Sequence, residues 1–336
     1  MQLLLFPTFA APDPKREDVW RVPASGVCLK SKTKRIKRQV LLNVLRRLTD
    51  VPPEQLETQL CQERMAPFIL APSSKRKIRF EVDQREVGTV KKTKRNGHFR
   101  TKILLGHEEL ARGIADSGQL QLLARPSGSE LSTEVQIRLL PARGHSIISD
   151  IDDTIKFSDV ENRSELLANT FVREYQPIAG MPQVYRQLAA EHCEFHYVSA
   201  SPWQLYHPLQ DFMQHSGYPS GSMILRKFRL SDHLLKRLGV IHRGGKSAAI
   251  RRILSSFPHR RFTLIGDSGE RDAEIYARCY QLYPDRVQQI LIRLIRPEHR
   301  YREPVIEAEH MLPPGVFQVF ETADQLGTLL ERARSG

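Results

Sequence analysis

The run HSIISDIDDTIKF (residues 145–157) places three aspartates within four residues, Asp150, Asp152 and Asp153, directly after a short strand-like stretch. Neighbouring carboxylates repel one another, and the end of a buried strand is a costly place to gather them. A divalent cation and a phosphoryl group would give the arrangement a chemical purpose. In the DxDxT spacing, Asp150 is placed to attack phosphorus and form an aspartyl-phosphate. Asp152 is placed to protonate the leaving alkoxide and later take a proton from the hydrolytic water. That second role calls for a pKa raised by its neighbours. An acidic turn or an N-cap before a helix would also collect carboxylates here.

Three further elements extend the pattern. Ser199 ends FHYVS, where its hydroxyl and the N–H groups of a following helix start could hold a phosphoryl oxygen. Ser201 could substitute, and either serine could equally serve a turn or a cap. Lys246, in GGKS (244–247), could neutralise the phosphoryl group and Asp150 as charge builds up, with Lys227 in reserve. GGKS is not a P-loop, because GxxxxGK[ST] needs glycine at position 240, which is Val240. Asp267, in GDSGERD (266–272), could bind Mg²⁺ beside Asp150, with the main-chain carbonyl of Asp152 as a further ligand. The metal set is then Asp150, Asp152 and Asp267, with Asp272 acting from behind it or through water. A turn followed by a capped helix would use the same glycines and Glu270.

These residues need elements to present them. Strands are predicted over 146–149, 195–198, 261–265 and within 287–295. Helices are predicted over 181–191, 203–216, 246–257 and 271–282. Strands alternating with helices indicate a parallel α/β sheet, whose ligands bind beyond the carboxyl ends of the strands. Three of the strands end in the residues singled out above. Residues 1–144 read differently. Short strands over 78–82, 86–90, 98–105, 120–124 and 133–139, divided by turn residues, suggest a β-rich, sandwich-like domain. The spacing of VLLNVLRRL (40–48) predicts one helix in it. PARG (141–144) marks the boundary, so the expected domains are 1–144 and 145–336.

Composition bounds the function classes. With 40% hydrophobic and 26% charged residues in 336, the chain reads as globular and long enough for two domains. No stretch approaches the roughly 20 apolar residues of a membrane span. MQLLLF reads as a first strand rather than a signal peptide, since it lacks a basic start and Pro7 interrupts it. Four scattered cysteines form no CxxC pair and fit a reducing cytoplasm. The net charge of +13 is uneven: residues 1–145 hold 27 Lys/Arg against 15 Asp/Glu, the remainder 24 against 23. The basic runs at 30–38, 75–79 and 91–95 would attract a polyanion. They carry no interleaved aromatics for base stacking, so an anionic membrane surface fits better than nucleic acid. Plain solvated faces would account for them too.

In combination, DxDxT, serine, lysine and GDxxxxD in this order resemble the haloacid dehalogenase superfamily of phosphotransferases. SDIDDTIKFSDVENRSELLANTF, HYVSASPWQLYHPL and FTLIGDSGERDAEIY resemble, more closely, the actin-patch-associated phosphatidate phosphatase catalytic-domain family over roughly residues 145–300. The resemblance implies a HAD-like Rossmannoid sheet and Mg²⁺-dependent conversion of phosphatidate to diacylglycerol and phosphate. It implies Asp150 as nucleophile, Asp152 as acid and base, Thr154 and Ser199 as phosphate contacts, Lys246 as the cation and Asp267 as a metal ligand. A soluble phosphomonoester as substrate and an inactive membrane adaptor are the competing expectations. The implied location is cytoplasmic, with peripheral membrane contact.

Overall fold

The computed structural model describes residues 1–6, 8–33, 35–115, 118–227 and 245–335. Residues 228–244, which include most of the glycine-rich stretch preceding Lys246, lie outside the described residues. The chain divides into two compact units. One comprises Met1–Arg38, Phe68–Ala142 and Gly221–Met223; the other comprises Gln39–Pro67, Arg143–Ser220 and Ile224–Gly336.

The first unit is built on a nine-stranded mixed sheet. Its strands are β1 (Gln2–Leu5), β2 (Phe9–Pro12), β3 (Trp20–Thr33), β4 (Leu70–Pro72), β5 (Ile78–Val82), β6 (Arg85–Val90), β7 (His98–Leu105), β8 (Leu120–Pro126) and β9 (Thr133–Leu139). The order is β1-β3-β2-β9-β8-β5-β6, with β4 and β7 also paired to β3. Alternation decides what is buried. Ile78, Phe80 and Val82 of β5 and Leu120, Leu122 and Ala124 of β8 turn into one core, while the residues between them are more exposed. Two helices, α1 (Arg35–Leu48) and α2 (Gln59–Ile69), leave this half of the sequence and group largely with the second unit. A short helix, α3 (His107–Gly113), stays with the sheet.

The second unit contains the α/β rhythm. In chain order it runs β10 (Arg143–Ser149), α4 (Arg163–Phe171), α5 (Met181–Ala190), β11 (Glu194–Pro202), α6 (Tyr206–His215), β12 (Ser222–Arg226) and α7 (Gly245–Ser256). It continues with β13 (His259–Asp267), α8 (Asp272–Leu282), β14 (Val287–Arg293), α9 (Glu303–Met311), β15 (Phe317–Phe320) and α10 (Ala323–Ser335). The sheet order is β12-β11-β10-β13-β14-β15, and β10 is parallel to both β11 and β13. From β10 the chain builds outward on one side, then crosses back to β13 on the other. The crevice between β10 and β13 is therefore a topological switch point, where open α/β sheets bind ligands. Ile147 and Ile148 of β10 and Leu264 and Ile265 of β13 are fully buried, as expected of central strands covered on both faces.

Two local expectations differ. The SASP segment, read as a turn opening a helix, continues β11 to Pro202. Successive side chains then alternate, so Ser199 and Ser201 share one face. A 3₁₀ turn (Trp203–Leu205) follows, and α6 starts only at Tyr206. That start puts Pro208 in the first turn, where its missing N–H breaks no helical hydrogen bond.

Candidate active site

Register brings the chemistry together. Ser149 of β10 lies level with Tyr197 of β11 and Ile265 of β13, and the Asp150 N–H donates to the Ile265 carbonyl at 2.9 Å. Asp150 thus emerges at the strand end, with Asp267 two residues beyond Ile265 on the adjacent strand. Both aspartates are fully buried. Lys246, the second residue of α7, reaches in from the helix start. Its Nζ lies 2.8 Å from Asp150 Oδ1 and 3.6 Å from a Glu270 carboxylate oxygen, and it also pairs with Asp272. Asp272 comes this close because residue 266 is glycine: a Cβ there would lie 2.2 Å from Asp272 Oδ2. That oxygen accepts from the Asp267 N–H and the Tyr276 hydroxyl.

One carboxylate oxygen each from Asp150, Asp267 and Glu270 fall within 4.8 Å of one another, a group that could hold a metal ion. Asp267 Oδ1 is engaged by the N–H groups of Gly269 and Glu270, at 2.7 and 2.9 Å. Asp267 Oδ2 and Asp150 Oδ2 are buried and accept no hydrogen bond among the described residues. Burial pushes the Asp150 carboxyl well above the usual range; Asp272, Glu270 and Asp267 add to this, and Lys246 offsets only part. Asp267 is likewise pushed well up by burial, then by Asp272 and Glu270. Burial also lifts Glu270 to about 7, against the opposing pull of Lys246. Hard oxygen donors with unused lone pairs, short of positive charge, fit a divalent cation such as Mg²⁺. Glu270 is the member that sequence reasoning left in a turn; its place three residues after Asp267 was the available signal.

Asp152 has its own set of partners, although its charge also helps to raise the Glu270 pKa. Its Oδ1 pairs with Lys156 Nζ at 2.9 Å and accepts from the Ser158 hydroxyl at 2.7 Å. Its Oδ2 accepts from Ser201 at 2.6 Å and from Ser199 at 3.1 Å. Burial alone would raise the Asp152 pKa, but Lys156 and the serine hydroxyls outweigh it and bring it down to about 2. The raised pKa expected of an acid is thus not what these neighbours produce. Lys156 went unnoticed because a lysine four residues after an aspartate reads as a surface pair, whereas here it is only 2% exposed. Thr154 is fully buried, and its hydroxyl has no hydrogen-bond partner among the described residues.

Asp153 holds a positive φ of 51° and accepts from the N–H groups of Ser158, Asp159 and Val160. It folds the 153–160 loop back on itself, and Arg293 Nη1 donates to its carbonyl at 2.8 Å. Asn162 caps α4 by accepting from the N–H groups of Ser164 and Glu165. Asn169 is buried and donates to the Ser158 carbonyl. Trp203 and Tyr206, just past the Ser199 strand, are core residues at 5% and 6% exposure. His196 is buried in β11, where burial and then Arg260 lower its pKa to about 3.

Residues 145–294 match the family model described as phosphatidate phosphatase APP1, catalytic domain. The chain is 34% identical over 154 residues to phosphatidate phosphatase APP1 of Saccharomyces cerevisiae, covering 45% of this chain and 26% of that protein. It is 33% identical over 163 residues to an uncharacterized protein of Schizosaccharomyces pombe, covering 47% and 26%. The chain spans about a quarter of the length of these curated relatives. The matched stretch carries Asp150, Lys246 and Asp267 at the switch point of its sheet, and it is this stretch, residues 145–294, that is similar to the APP1 catalytic domain.

Proposed function

We propose that this chain is a Mg²⁺-dependent phosphatidate phosphatase with a HAD-like catalytic domain over residues 145–336. The observation that carries the reading is the pairing of Asp150 with Lys246 beside Asp267, at the ends of adjacent parallel strands. Mg²⁺ held by Asp150, Asp267 and Glu270, with the Asp152 carbonyl, would screen these carboxylates and stabilise charge on the phosphoryl oxygens. An Asp150 oxygen attacks phosphorus while Lys246, Thr154 and Ser199 hold the phosphoryl group. The bond from phosphorus to the alcohol oxygen breaks, and Asp152 gives that oxygen a proton. Diacylglycerol leaves, and Asp150 carries the phosphoryl group. Asp152 then takes a proton from water as the water oxygen attacks phosphorus, releasing phosphate and Asp150. Lys156 keeps Asp152 ionised at rest, so its proton comes in with the substrate. A phosphomonoester with a second pKa of about 6 can bring one, and its charge raises a nearby carboxyl.

We further propose that the basic faces of domain 1–144 rest on an anionic membrane, making the protein cytoplasmic and peripheral. The test is phosphate release from phosphatidate in mixed micelles, set against a panel of soluble phosphomonoesters, for wild type and Asp150→Asn. Wild type is expected to prefer phosphatidate. Asp150→Asn is expected to lose turnover by several orders of magnitude with an unchanged circular dichroism spectrum. Full activity in the folded variant would refute the mechanism, and preference for soluble esters would refute the substrate.

A further inference from the structure

Beside the acid, the wall of the site turns apolar. A pocket of about 100 Å³ is lined on one side by Leu166, Leu167 and Phe171 of α4 and Leu205 of the 3₁₀ turn, and on the other by Asp152, Ser201, Arg226 and Glu270. The lining is rigidly placed. Leu167, Phe171 and Leu205 are 1–2% exposed, and the Asn162 cap fixes the start of α4. The α4 side contributes nothing to a phosphoryl group, which needs cations and N–H donors such as Arg226 on the opposite side. It does suit the carbon chain on the other side of the breaking bond. The leaving oxygen must come within hydrogen-bond distance of Asp152 to take its proton, and the atoms attached to that oxygen then lie toward the pocket.

We infer that this pocket binds the apolar carbon skeleton of the leaving alcohol, and that Leu166 and its neighbours determine specificity for alcohols of that class. The inference rests on the reading of Asp152 as the group that protonates the leaving oxygen. Burial of each methylene is worth about 0.8 kcal/mol, or about fourfold in kcat/KM, until the pocket is full. A volume of about 100 Å³ fills after roughly three or four water-sized groups, so the gain should level off within a short chain.

The experiment measures kcat and KM for ethyl, butyl, hexyl and octyl phosphate and for dioctanoyl phosphatidate, with Mg²⁺ present. Leu166 is half-buried and can be changed with the least disturbance of the core. Wild type should climb from ethyl to butyl by about tenfold or more and then flatten. Leu166→Gln should flatten the whole series, and Leu166→Met should keep the climb. A flat wild-type series would overturn the inference, as would a Leu166→Gln variant that loses the same factor on every ester. A climbing alkyl series with no release from phosphatidate would support the pocket while refuting phosphatidate as the substrate. A wild type inert toward every ester would overturn both.

Discussion

Asp150 and Asp152 are two positions apart and both buried, yet burial raises the pKa of one while Lys156 and hydroxyl donors lower that of the other. Lys156 holds Asp152 down at about 2, so Asp152 stabilises the fold above the usual carboxylate range and loses that contribution as pH falls toward 2. A shift of that size corresponds to about 2 kcal/mol. In Lys156→Met the buried carboxylate is left uncompensated, a change that typically costs about 3–5 kcal/mol. Burial then raises the Asp152 pKa, so its contribution is lost as pH rises. Thermal denaturation should show the variant well below wild type at pH 7 and the gap narrowing toward pH 3. A gap independent of pH would rule out this pairing as the cause. For Asp150 and Asp267, whose pKa values are raised, stability is fullest below the usual carboxylate range and declines as pH climbs through their raised values. A cation bound there relieves that loss. Mg²⁺ at a hundred times its dissociation constant should stabilise the metal-free protein by about 2.7 kcal/mol at neutral pH. The melting shift should vanish in Asp267→Asn; a variant that retains it would place the ion elsewhere.

The central strands were legible because each is a short apolar run ending in a polar residue that a buried strand would not otherwise carry. What the runs concealed was spacing at close range. Gly266 reads as one more turn residue, but its missing side chain is what lets Asp272 meet Lys246. Gly266→Ala should cost about 1–3 kcal/mol by overpacking and lower kcat at least tenfold, as Asp272 is driven off. Melting curves and initial rates check this, and an alanine variant like wild type in both would refute the close approach. Strand β3 escaped sequence reading for a related reason. Pro23, Ser25, Gly26 and Ser31 break any alternation along its 14 residues, and Pro and Gly normally argue against a central strand. Yet a Cβ on Gly26 would meet the Leu4 carbonyl at 2.2 Å and the Phe99 ring at 2.6 Å, so β1 and β7 crowd that site. The helix at Asn162 likewise needed its cap to be seen, since Asn and Ser fit a loop as well as a helix start.

Across the whole chain, charge and contacts divide the sequence differently. Charge alone separates a basic first half from a nearly neutral remainder. The contacts instead place Gln39–Pro67, from the basic half, in the unit that carries Asp150. Arg64 of α2 shows why: it is only 4% exposed, lies 3.9 Å from the Tyr175 ring centroid, and donates to the carbonyls of Thr170 and Arg173. A buried arginine needs several partners at once, and nothing in QERMAP announces where they are. The basic runs at 75–79 and 91–95 do reach solvent: Lys75, Arg76, Lys77, Arg79, Lys91, Lys92, Lys94 and Arg95 are all exposed. Exposed like charges attract an anionic surface at long range and are screened by salt. The protein should therefore sediment with vesicles containing anionic lipid and dissociate as salt rises toward 0.5 M. Equal binding to neutral vesicles would refute the electrostatic contact.

Residue type and order along the chain were enough to indicate the parallel sheet and to single out Asp150, Lys246 and Asp267, which the structure brings together. Those features are local, since strand ends and carboxylates within a turn can be read in one dimension. Only tertiary structure decided that Glu270 joins the acidic cluster, that Lys156 pins Asp152, and that α1 and α2 complete the second unit. These outcomes depend on which charges share a dry interior. There, a neighbour a few ångströms away controls ionisation whatever its distance in sequence.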